Sequence, residues 1–518
     1  MAASFTMTFH SILFDGPKDN NDIESATPPA FFPDLNCDQI VDDITAPKAE
    51  YDLKPFFYAC PRSIEAVNYR HDVMKDLDKP DVLEHVRSLA ARMRGMRGLL
   101  TRAEKSPYKE ERQAWFLDAV EMYCDALVSF AEEASGADLK SRGCLGFLDH
   151  LKTYIQSAEF ARFSYQTKAL KSDLAGIEYC VRIKNGGVTV RKYEGEADYS
   201  AEIESVFEKF KQGAPRDYRS ESRPRGYLNH VEAKILELVA RLNPEVFGRL
   251  DDYCSKNADY IDPIIAAFDR EVQFYIAYID YIAPLKQAGL SFCYPVVSSE
   301  SKEICSEAGF DLALAHKLAK DDKSVICNDF FLKGEERILV VSGPNQGGKT
   351  TFARALGQLH YLASIGLPVP GRHARLFAFD HLLTHFEKEE AMENLRGKLE
   401  DDLTRIHDIL DRATPRSIII LNEIFASTTL FDEMFLSIKI VERISALGAL
   451  CVWVTFVDEL ASLNQRTVSM VSTVDPENPA VRTFRILRRP ADGLAYAMAI
   501  AKKHRLTLDS ILERIESE

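Results

Sequence analysis

The sequence lacks several features that define whole classes of protein. Its longest apolar run, Leu447 to Phe456, is far shorter than the roughly 20 residues of a membrane span. The first 16 residues show no basic region followed by an apolar core, so we expect no secretory signal. The ten cysteines include no C-x-x-C pair, which argues against a zinc framework and favours a reducing compartment. We therefore expect a soluble, cytoplasmic protein with no membrane partner.

An excess of positive charge is also missing. The 518 residues contain 64 Lys and Arg against 79 Asp and Glu, a formal net charge of −15. A field of this sign repels phosphate, which excludes a protein that coats nucleic acid through overall basicity but leaves a local basic patch open. The hydrophobic fraction of 46% is ordinary for a globular chain. At roughly 100–200 residues per domain, the length predicts about three or four domains.

Changes in the hydrophobic pattern divide the chain into five parts. Apolar residues recur at three- and four-residue steps in two of them, as from Trp115 to Phe130, which predicts helices packed through a shared core. Apolar residues alternate with other residues on both sides of residues 184–187, Lys-Asn-Gly-Gly, which predicts a β-hairpin. Short apolar runs then alternate with helical stretches, which is typical of a parallel sheet in a βαβ domain. The predicted parts are a loosely attached arm (1–31), helices (32–175), a β-containing insert (176–228), returning helices (229–288) and an α/β domain (289–518).

The strongest chemical signal is a glycine-rich segment between an apolar strand and a helical stretch. Its pattern is G-x-x-x-x-G-K-[ST], which in this context predicts a phosphate-binding loop. Glycines let successive backbone N–H groups face a phosphate, and the helix N-terminus adds partial positive charge. We expect Lys349 to reach the terminal phosphates and the Thr350 hydroxyl to bind Mg²⁺. The predicted nucleotide-binding residues are Gly343, Pro344, Asn345, Gln346, Gly347, Gly348, Lys349, Thr350 and Thr351.

A second apolar strand carries the predicted catalytic carboxylate. It ends in Asn422 and Glu423, and a nucleotide hydrolase needs a carboxylate at the end of a strand near its phosphate loop. Glu423 is the predicted general base, which orients the attacking water. Asn422 stands where an Asp usually supports the metal ion. A neutral amide can bind a metal-bound water but adds no charge, so we expect weaker Mg²⁺ binding or slower turnover.

Two stretches are basic despite the acidic total. The first runs from Arg87 to Lys105, and the second is interleaved with Tyr218 and Tyr227. Such clusters neutralise phosphates, and Tyr can hydrogen-bond to them or stack on bases, although most charged runs are merely solvated surfaces. The second stretch adjoins the predicted hairpin, which makes it the stronger candidate for DNA contact. Its arginines are Arg216, Arg219, Arg223 and Arg225.

Taken together, these motifs resemble the MutS family of DNA mismatch-repair ATPases. The segment GPNQGGKTT is close to the family's GPN-x-GGK-[ST]-T, and SIIILNEIFASTTLFDE parallels its second nucleotide motif. Three further segments resemble family motifs: 326–332, 454–460 and 489–498. The helix, β-insert and helix order resembles the family's core, lever and clamp.

The resemblance implies an architecture and a set of functional residues. Residues 289–518 would form an ABC-type P-loop ATPase domain, residues 32–175 and 229–288 the core and lever, and residues 176–228 a clamp. ATP and Mg²⁺ would bind at 343–351, with Asn328 near the nucleotide base. In this family the ATPase domains dimerise, and each site is completed by a signature segment of the other subunit, which here contains Gly397 and Lys398.

The sequence departs from the family pattern at several positions. Asn422 replaces Asp, Gly397 replaces Ser, Phe456 replaces His, and residues 425–427 replace Gly-Arg-Gly. The roughly 300 residues before the ATPase domain are too few for a mismatch-reading domain and a connector as well as the core and clamp.

These features predict a homodimeric ATPase that uses ATP binding and hydrolysis to clamp double-stranded or branched DNA, with repair proteins as possible partners. One alternative is a nucleotide-switched scaffold that binds proteins and not DNA. A weaker alternative is a small-molecule P-loop kinase.

Overall fold

The computed structural model describes residues 9–16, 27–61, 63–184, 187–195, 228–387, 397–425, 427–475, 477–478 and 481–491. Contacts divide the chain into two compact units. One comprises residues 1–78, 140–144 and 270–518, and the other comprises residues 79–139 and 145–269. We call them the sheet unit and the helical unit and treat each by itself. The described residues contain no helix with the length and apolar character needed to cross a bilayer.

The helical unit is built on long helices with a hairpin between them in sequence. The predicted stripe is confirmed, because Trp115, Tyr123 and Leu127 are buried on one long helix. The hairpin is also confirmed: β1 (Tyr179–Lys184) pairs antiparallel with β2 (Gly187–Lys192). The helices of this unit are Pro80–Lys105, Lys109–Ser135, Ala158–Ala175, His230–Leu242 and Pro244–Lys256, and Arg142–Ile155 and Pro263–Gln287 contribute residues to both units.

The sheet unit contains a six-stranded sheet in the order β10-β11-β12-β7-β13-β14. Neighbouring strands are parallel from β10 to β13, and β14 pairs antiparallel with β13 at the edge. Every residue of the three central strands β11, β12 and β7 is buried, as expected where helices cover both faces of a parallel sheet. The strands are β7 (Ile338–Ser342), β10 (Leu382–His385), β11 (Ile418–Asn422), β12 (Leu450–Val454), β13 (Thr467–Val474) and β14 (Arg482–Arg488).

The described residues of this unit also form two smaller sheets. One has four strands in the order β4-β9-β5-β6, and the other is the antiparallel pair β3 and β8. The strands are β3 (Phe292–Cys293), β4 (Val296–Ser298), β5 (Ile304–Gly309), β6 (Asn328–Leu332), β8 (Val369–Pro370) and β9 (His373–Phe377).

Helices lie against the six-stranded sheet. Ile406, Ile444 and Trp453 belong to one buried cluster that joins two helices to the strands. The helices of the sheet unit are Phe32–Leu35, Cys37–Thr45, Lys54–Tyr58, Ile64–Leu77, Leu312–Ala319, Lys349–Ser364, Lys398–Arg412 and Leu430–Leu447, with 3₁₀ turns at Ala46–Tyr51 and Asp458–Ser462. We call Lys349–Ser364 the loop helix and Lys398–Arg412 the brace helix.

The N-terminal segment differs from expectation. The arm was predicted to be loosely attached, and for residues 9–16 that prediction is wrong, because Ile12, Leu13 and Phe14 are buried. The Ser11 hydroxyl donates to Glu271 Oε2 over 2.8 Å. The polar composition of residues 1–31 does not reveal that a short apolar run within them, Ile12 to Phe14, is buried. The Ile12 N–H donates to Glu271, which is distant in the sequence. The five-part division of the whole sequence stays a prediction.

Candidate functional site

The glycine-rich segment forms a tight loop between β7 and the loop helix. Gly343 and Gly348 have φ angles of 115° and 89°, a region that side chains with a Cβ rarely adopt. Gly348 is the N-cap of the 16-residue loop helix, so the last residues of the loop lie at a helix N-terminus. Unpaired N–H groups and the helix dipole make such a terminus favourable for an anion. We call residues 343–348 the glycine loop.

Strands β13 and β14 hold this loop in place through side-chain hydrogen bonds. The Ser472 hydroxyl, on β13, donates to the Gly347 carbonyl over 2.7 Å. Arg482 Nε, on β14, donates to the Asn345 carbonyl over 3.1 Å. A Cβ on Gly347 would lie only 2.2 Å from Ser472 Oγ. Packing against Ser472 therefore requires that residue 347 has no side chain.

Lys349 is buried at the start of the loop helix. Its Nζ donates to the carbonyls of Gly343 and Pro344 over 3.0 and 3.2 Å. The same nitrogen lies 4.4 Å from the centre of the Phe456 ring. Phe456 is the position at which the MutS family pattern has His. Burial lowers the pKa of Lys349, whereas the negative charge of Glu423 raises it. The ammonium group thus faces carbonyl oxygens, a carboxylate and an aromatic ring.

Asn422 is the last residue of β11, and Glu423 follows it. Oε1 of Glu423 lies 3.8 Å from Lys349 Nζ, so the end of β11 and the start of the loop helix meet here. Asn422 is buried, and its Oδ1 has no hydrogen-bond partner among the described residues. A buried oxygen without a partner costs free energy, which favours a ligand or water that donates to it.

Part of the glycine loop and Glu423 border a cavity of about 810 Å³. Gln346, Gly347, Gly348, Lys349, Thr350, Thr351, Glu423 and Asn328 contribute to its lining, whereas Gly343, Pro344, Asn345 and Asn422 do not. Phe484 lies over Gly348. Leu314 and Leu318 add apolar surface to the cavity. The cavity therefore combines a polar end at the glycine loop with an apolar wall.

Asn328 lines the cavity, but its amide is already bonded to protein. Its Nδ2 donates to the Phe484 carbonyl over 3.2 Å, and its Oδ1 accepts from the Ile486 N–H over 2.7 Å. Both bonds go to the backbone of β14. In this structure the Asn328 amide therefore fastens β6 to β14, and the predicted approach to a nucleotide base remains untested.

The other predicted residues lie elsewhere. Gly397 is the exposed N-cap of the brace helix, and the Lys398 ammonium pairs with Glu387. Neither residue lines the cavity. Arg216, Arg219, Arg223 and Arg225 lie outside the described residues, as does the predicted helix start beyond Ala491.

The sequence did not identify the residues of β13 and β14 that hydrogen-bond to the glycine loop. Ser472 and Arg482 lie more than 120 residues from their partners in the loop, and neither belongs to a recognisable spacing. The alternation of apolar residues in β13 was the available signal, since it places Ser472 on a strand. It does not say which loop that strand contacts.

Comparison with known proteins gives one family. The family described as MutS domain V matches residues 339–515. The DNA mismatch repair protein MutS of Chlorobium phaeovibrioides is 28% identical over 284 residues, which are 53% of this chain and 31% of that protein. MutS of Aquifex pyrophilus is 26% identical over 370 residues, 70% of this chain and 41% of that protein. MutS of Shouchella clausii is 30% identical over 184 residues, 35% of this chain and 21% of that protein.

The aligned stretches thus span less than half of the length of these relatives. The matched family segment begins in β7 and includes the glycine loop, Glu423 and the strands that support them. Residues 339–515 are therefore assigned to MutS domain V.

Proposed function

We propose that the chain is a mismatch-repair-related P-loop ATPase that binds and hydrolyses ATP with Mg²⁺ at the cavity beside the glycine loop. One observation carries this proposal: Glu423 Oε1 lies 3.8 Å from Lys349 Nζ at the edge of that cavity. A base for water and a cation for phosphate are the two groups that phosphoryl transfer to water needs within reach of one site.

The residues fit a nucleotide and its metal ion. The described residues contain no group of three or more His, Cys, Asp or Glu side chains that would hold a metal alone. Mg²⁺ commonly keeps several waters and shares its remaining positions between few side chains and phosphate oxygens, and the Thr350 hydroxyl and the Asn422 amide suit that mode. When bound, the Mg²⁺–ATP complex supplies the phosphoryl group and neutralises charge on its oxygens.

The roles of the protein groups follow from their positions. Lys349 exchanges its bonds to the Gly343 and Pro344 carbonyls for bonds to phosphate oxygens. Glu423 orients the attacking water and accepts its proton. The backbone N–H groups of the glycine loop hold the remaining phosphate oxygens, because the chain there turns at glycines.

Steady-state ATPase measurements test this proposal. Lys349→Ala should abolish nucleotide binding, and Glu423→Gln should bind ATP normally but lower kcat by at least about 100-fold. Lys302→Ala is the matched control for loss of a lysine in the same unit, since Lys302 bonds to the Gly448 carbonyl away from the cavity. Wild-type turnover in Glu423→Gln contradicts the assignment of the base.

The second part of the proposal concerns DNA. We assign contact with double-stranded or branched DNA to the arginines at 216, 219, 223 and 225, together with the adjoining hairpin. On the hairpin, Arg182 and Lys184 are exposed and belong to β1, and Lys192 ends β2. Cations on a small exposed hairpin suit contact with the phosphate backbone in a chain whose total charge is −15.

Salt dependence measures this contact. Replacing Arg216, Arg219, Arg223 and Arg225 by Ala should make the slope of log affinity against log salt less steep by about three to four units. A control that replaces Arg241 and Arg249, which pair with Glu237 and Asp173 on helices, should leave the slope unchanged. An unchanged slope in the first variant refutes the DNA assignment.

We further propose a homodimer in which ATP at the site controls clamping on DNA, with repair proteins as partners in the cytoplasm. Three large apolar side chains in the first turns of Leu430–Leu447 support an assembly surface, because Leu430, Phe431 and Phe435 are each more than half exposed. Apolar groups clustered on one surface of a soluble chain favour burial against a partner. Light scattering should show a shift to monomer in Phe431→Glu but not in Tyr165→Glu, an exposed control elsewhere.

The alternative is a nucleotide-switched scaffold that binds proteins without touching DNA. Two observations favour it: the acidic total charge, and the neutral Asn422 where a carboxylate would assist Mg²⁺. It predicts ATP binding and partner binding with no DNA affinity at any salt concentration. Titration with linear, mismatched and branched DNA, with and without ATP, separates the two proposals.

A further inference from the structure

The turn that carries Glu423 has a strained backbone. Glu423 and Phe425 have φ angles of 52° and 64°, in the left-handed region that residues other than glycine rarely adopt. Such conformations persist only where the surrounding structure determines them. The contacts that hold this turn therefore also determine where the Glu423 carboxylate points.

Among the described residues of the turn, three hydrogen bonds hold its backbone. The Glu423 N–H donates to the Val454 carbonyl over 2.9 Å, and the Thr428 N–H donates to the Phe425 carbonyl over 3.2 Å. The third comes from a side chain, because the Phe425 N–H donates to Oδ2 of Asp402 over 3.3 Å. Asp402 belongs to the brace helix and not to any segment that lines the cavity.

Asp402 is buried beside a second buried polar group. Its Oδ1 lies 3.1 Å from Nε2 of His385, the last residue of β10. Burial opposes ionisation of this carboxyl, but the His385 contact and the Phe425 N–H hold the pKa of Asp402 below its usual range. The carboxylate thus bridges the end of β10 and the turn after β11.

The brace helix is itself well anchored. Ile406 and Ile409 are buried in the cluster beneath the sheet, and Arg405 Nη1 donates to the Phe386 carbonyl over 3.2 Å. Asp402 lies one turn before these residues on the same helix. Its position is therefore set by core packing rather than by the turn that it supports.

We propose that Asp402 is a positioning residue for hydrolysis: by accepting the Phe425 N–H, it holds the turn that aims Glu423 at the cavity. The inference rests on the proposed function, in which Glu423 is the base. Asp402 touches neither the cavity nor Glu423, and it acts through the backbone between 423 and 425. Loss of its carboxylate should affect turnover more than nucleotide binding.

A double-mutant cycle with Asp402→Ala and Glu423→Gln tests this inference. In the wild-type background Asp402→Ala should lower kcat about tenfold, since small displacements of a catalytic group are costly, while the Kd for ATP changes less than about twofold. In the Glu423→Gln background the same substitution should lower kcat no further, because the group that it positions is already lost. Asp402→Asn retains an acceptor oxygen for the Phe425 N–H and should restore most of the turnover.

Controls separate positioning from general stability. Asp408→Ala removes a carboxylate from an exposed position of the same helix and should leave kcat and Kd unchanged. If Asp402→Ala does not fold, Asp402→Ser takes its place in the cycle, because a shorter hydroxyl keeps the position polar without bridging both partners. Equal losses in both backgrounds, an unchanged kcat, or parallel losses of kcat and ATP affinity each overturn the inference. If the single variant Glu423→Gln turns over ATP at the wild-type rate, Glu423 is not the base, and the inference about Asp402 is also wrong.

Discussion

Two buried carboxylates of the sheet unit behave in opposite ways. Glu271 accepts the Ser11 hydroxyl and the Ile12 N–H over 2.8 and 2.9 Å, yet burial raises its pKa to about 7. Asp402 is also buried, but its pKa is lowered. Burial is the largest influence on both carboxyls. For Asp402 the His385 imidazole at 3.1 Å, the Phe425 N–H and the charge of Arg405 together outweigh it. For Glu271 the bonds from Ser11 and Ile12 and the charge of Arg70 do not. The pKa is lowered only where the favourable contacts and charges outweigh the cost of burial.

The two shifts have opposite consequences for stability. A raised pKa means that the folded state binds a proton more tightly than the unfolded state does. Glu271 therefore contributes stability fully below pH 4.5, and that contribution is lost as the pH rises through about 7. Asp402 has a lower pKa in the folded state than in the unfolded state. Its contribution to stability is therefore present above the pKa of the unfolded state and is lost as the pH falls through the pKa of the folded state.

Glu271→Gln should give the largest effect. A pKa that moves from 4.5 to about 7 makes the wild type about 2–3 kcal/mol less stable at pH 8 than at pH 5 through this group alone. Gln keeps an acceptor for Ser11 and Ile12 but cannot ionise, so the difference between the two pH values should shrink by that amount. Urea unfolding at pH 5 and pH 8 measures it.

Two further observations sharpen this prediction. Glu65→Gln removes an exposed carboxyl from the same unit and should leave the pH dependence as it is. ATP turnover should be unchanged in Glu271→Gln, because Glu271 does not line the cavity. A pH dependence that persists in Glu271→Gln would place the titrating group elsewhere.

Asp402→Asn should give a smaller effect of the opposite sign. At pH 7 it replaces a carboxylate beside His385 with a neutral amide, which should cost about 1–2 kcal/mol of the free energy of unfolding. The gap between the variant and the wild type should close as the pH falls below about 4, where the unfolded Asp is protonated. Unfolding curves at pH 7 and at several values below about pH 4 test both statements, and a gap that widens in acid would contradict the direction of the Asp402 shift.

The sequence was sufficient where the structure depends on residues close together in the chain. The hairpin followed from alternation around Asn-Gly, and the buried stripe that contains Trp115 and Tyr123 followed from helical periodicity. The path of the glycine loop follows from local sequence only in part, because its left-handed positions at 343 and 348 are glycines, whereas Gln346 adopts a φ of 58° that its residue type does not predict.

Contacts between distant segments could not be predicted. No local pattern connects Ser11 to Glu271, 260 residues away, and the polar composition around residue 11 suggested a loose arm. Asp402 was overlooked for a different reason. It lies in an acidic stretch of an amphipathic helix, where most carboxylates are solvated, and only the fold shows that this one is buried against β10 and the turn after β11.

Ser11→Ala should give the smallest effect, and one that depends on pH. The Ser11 hydroxyl donates to Glu271 and accepts the N–H groups of Leu13 and Phe14, so its loss should cost about 1 kcal/mol at pH 5, where Glu271 is protonated. At pH 8 the same hydroxyl donates to a carboxylate, and bonds to charged groups are stronger. The cost should therefore be larger at pH 8 than at pH 5, and in the Glu271→Gln background it should be the same at both. If the cost in wild type is independent of pH, the hydroxyl stabilises the N-terminal segment without regulating the charge of Glu271.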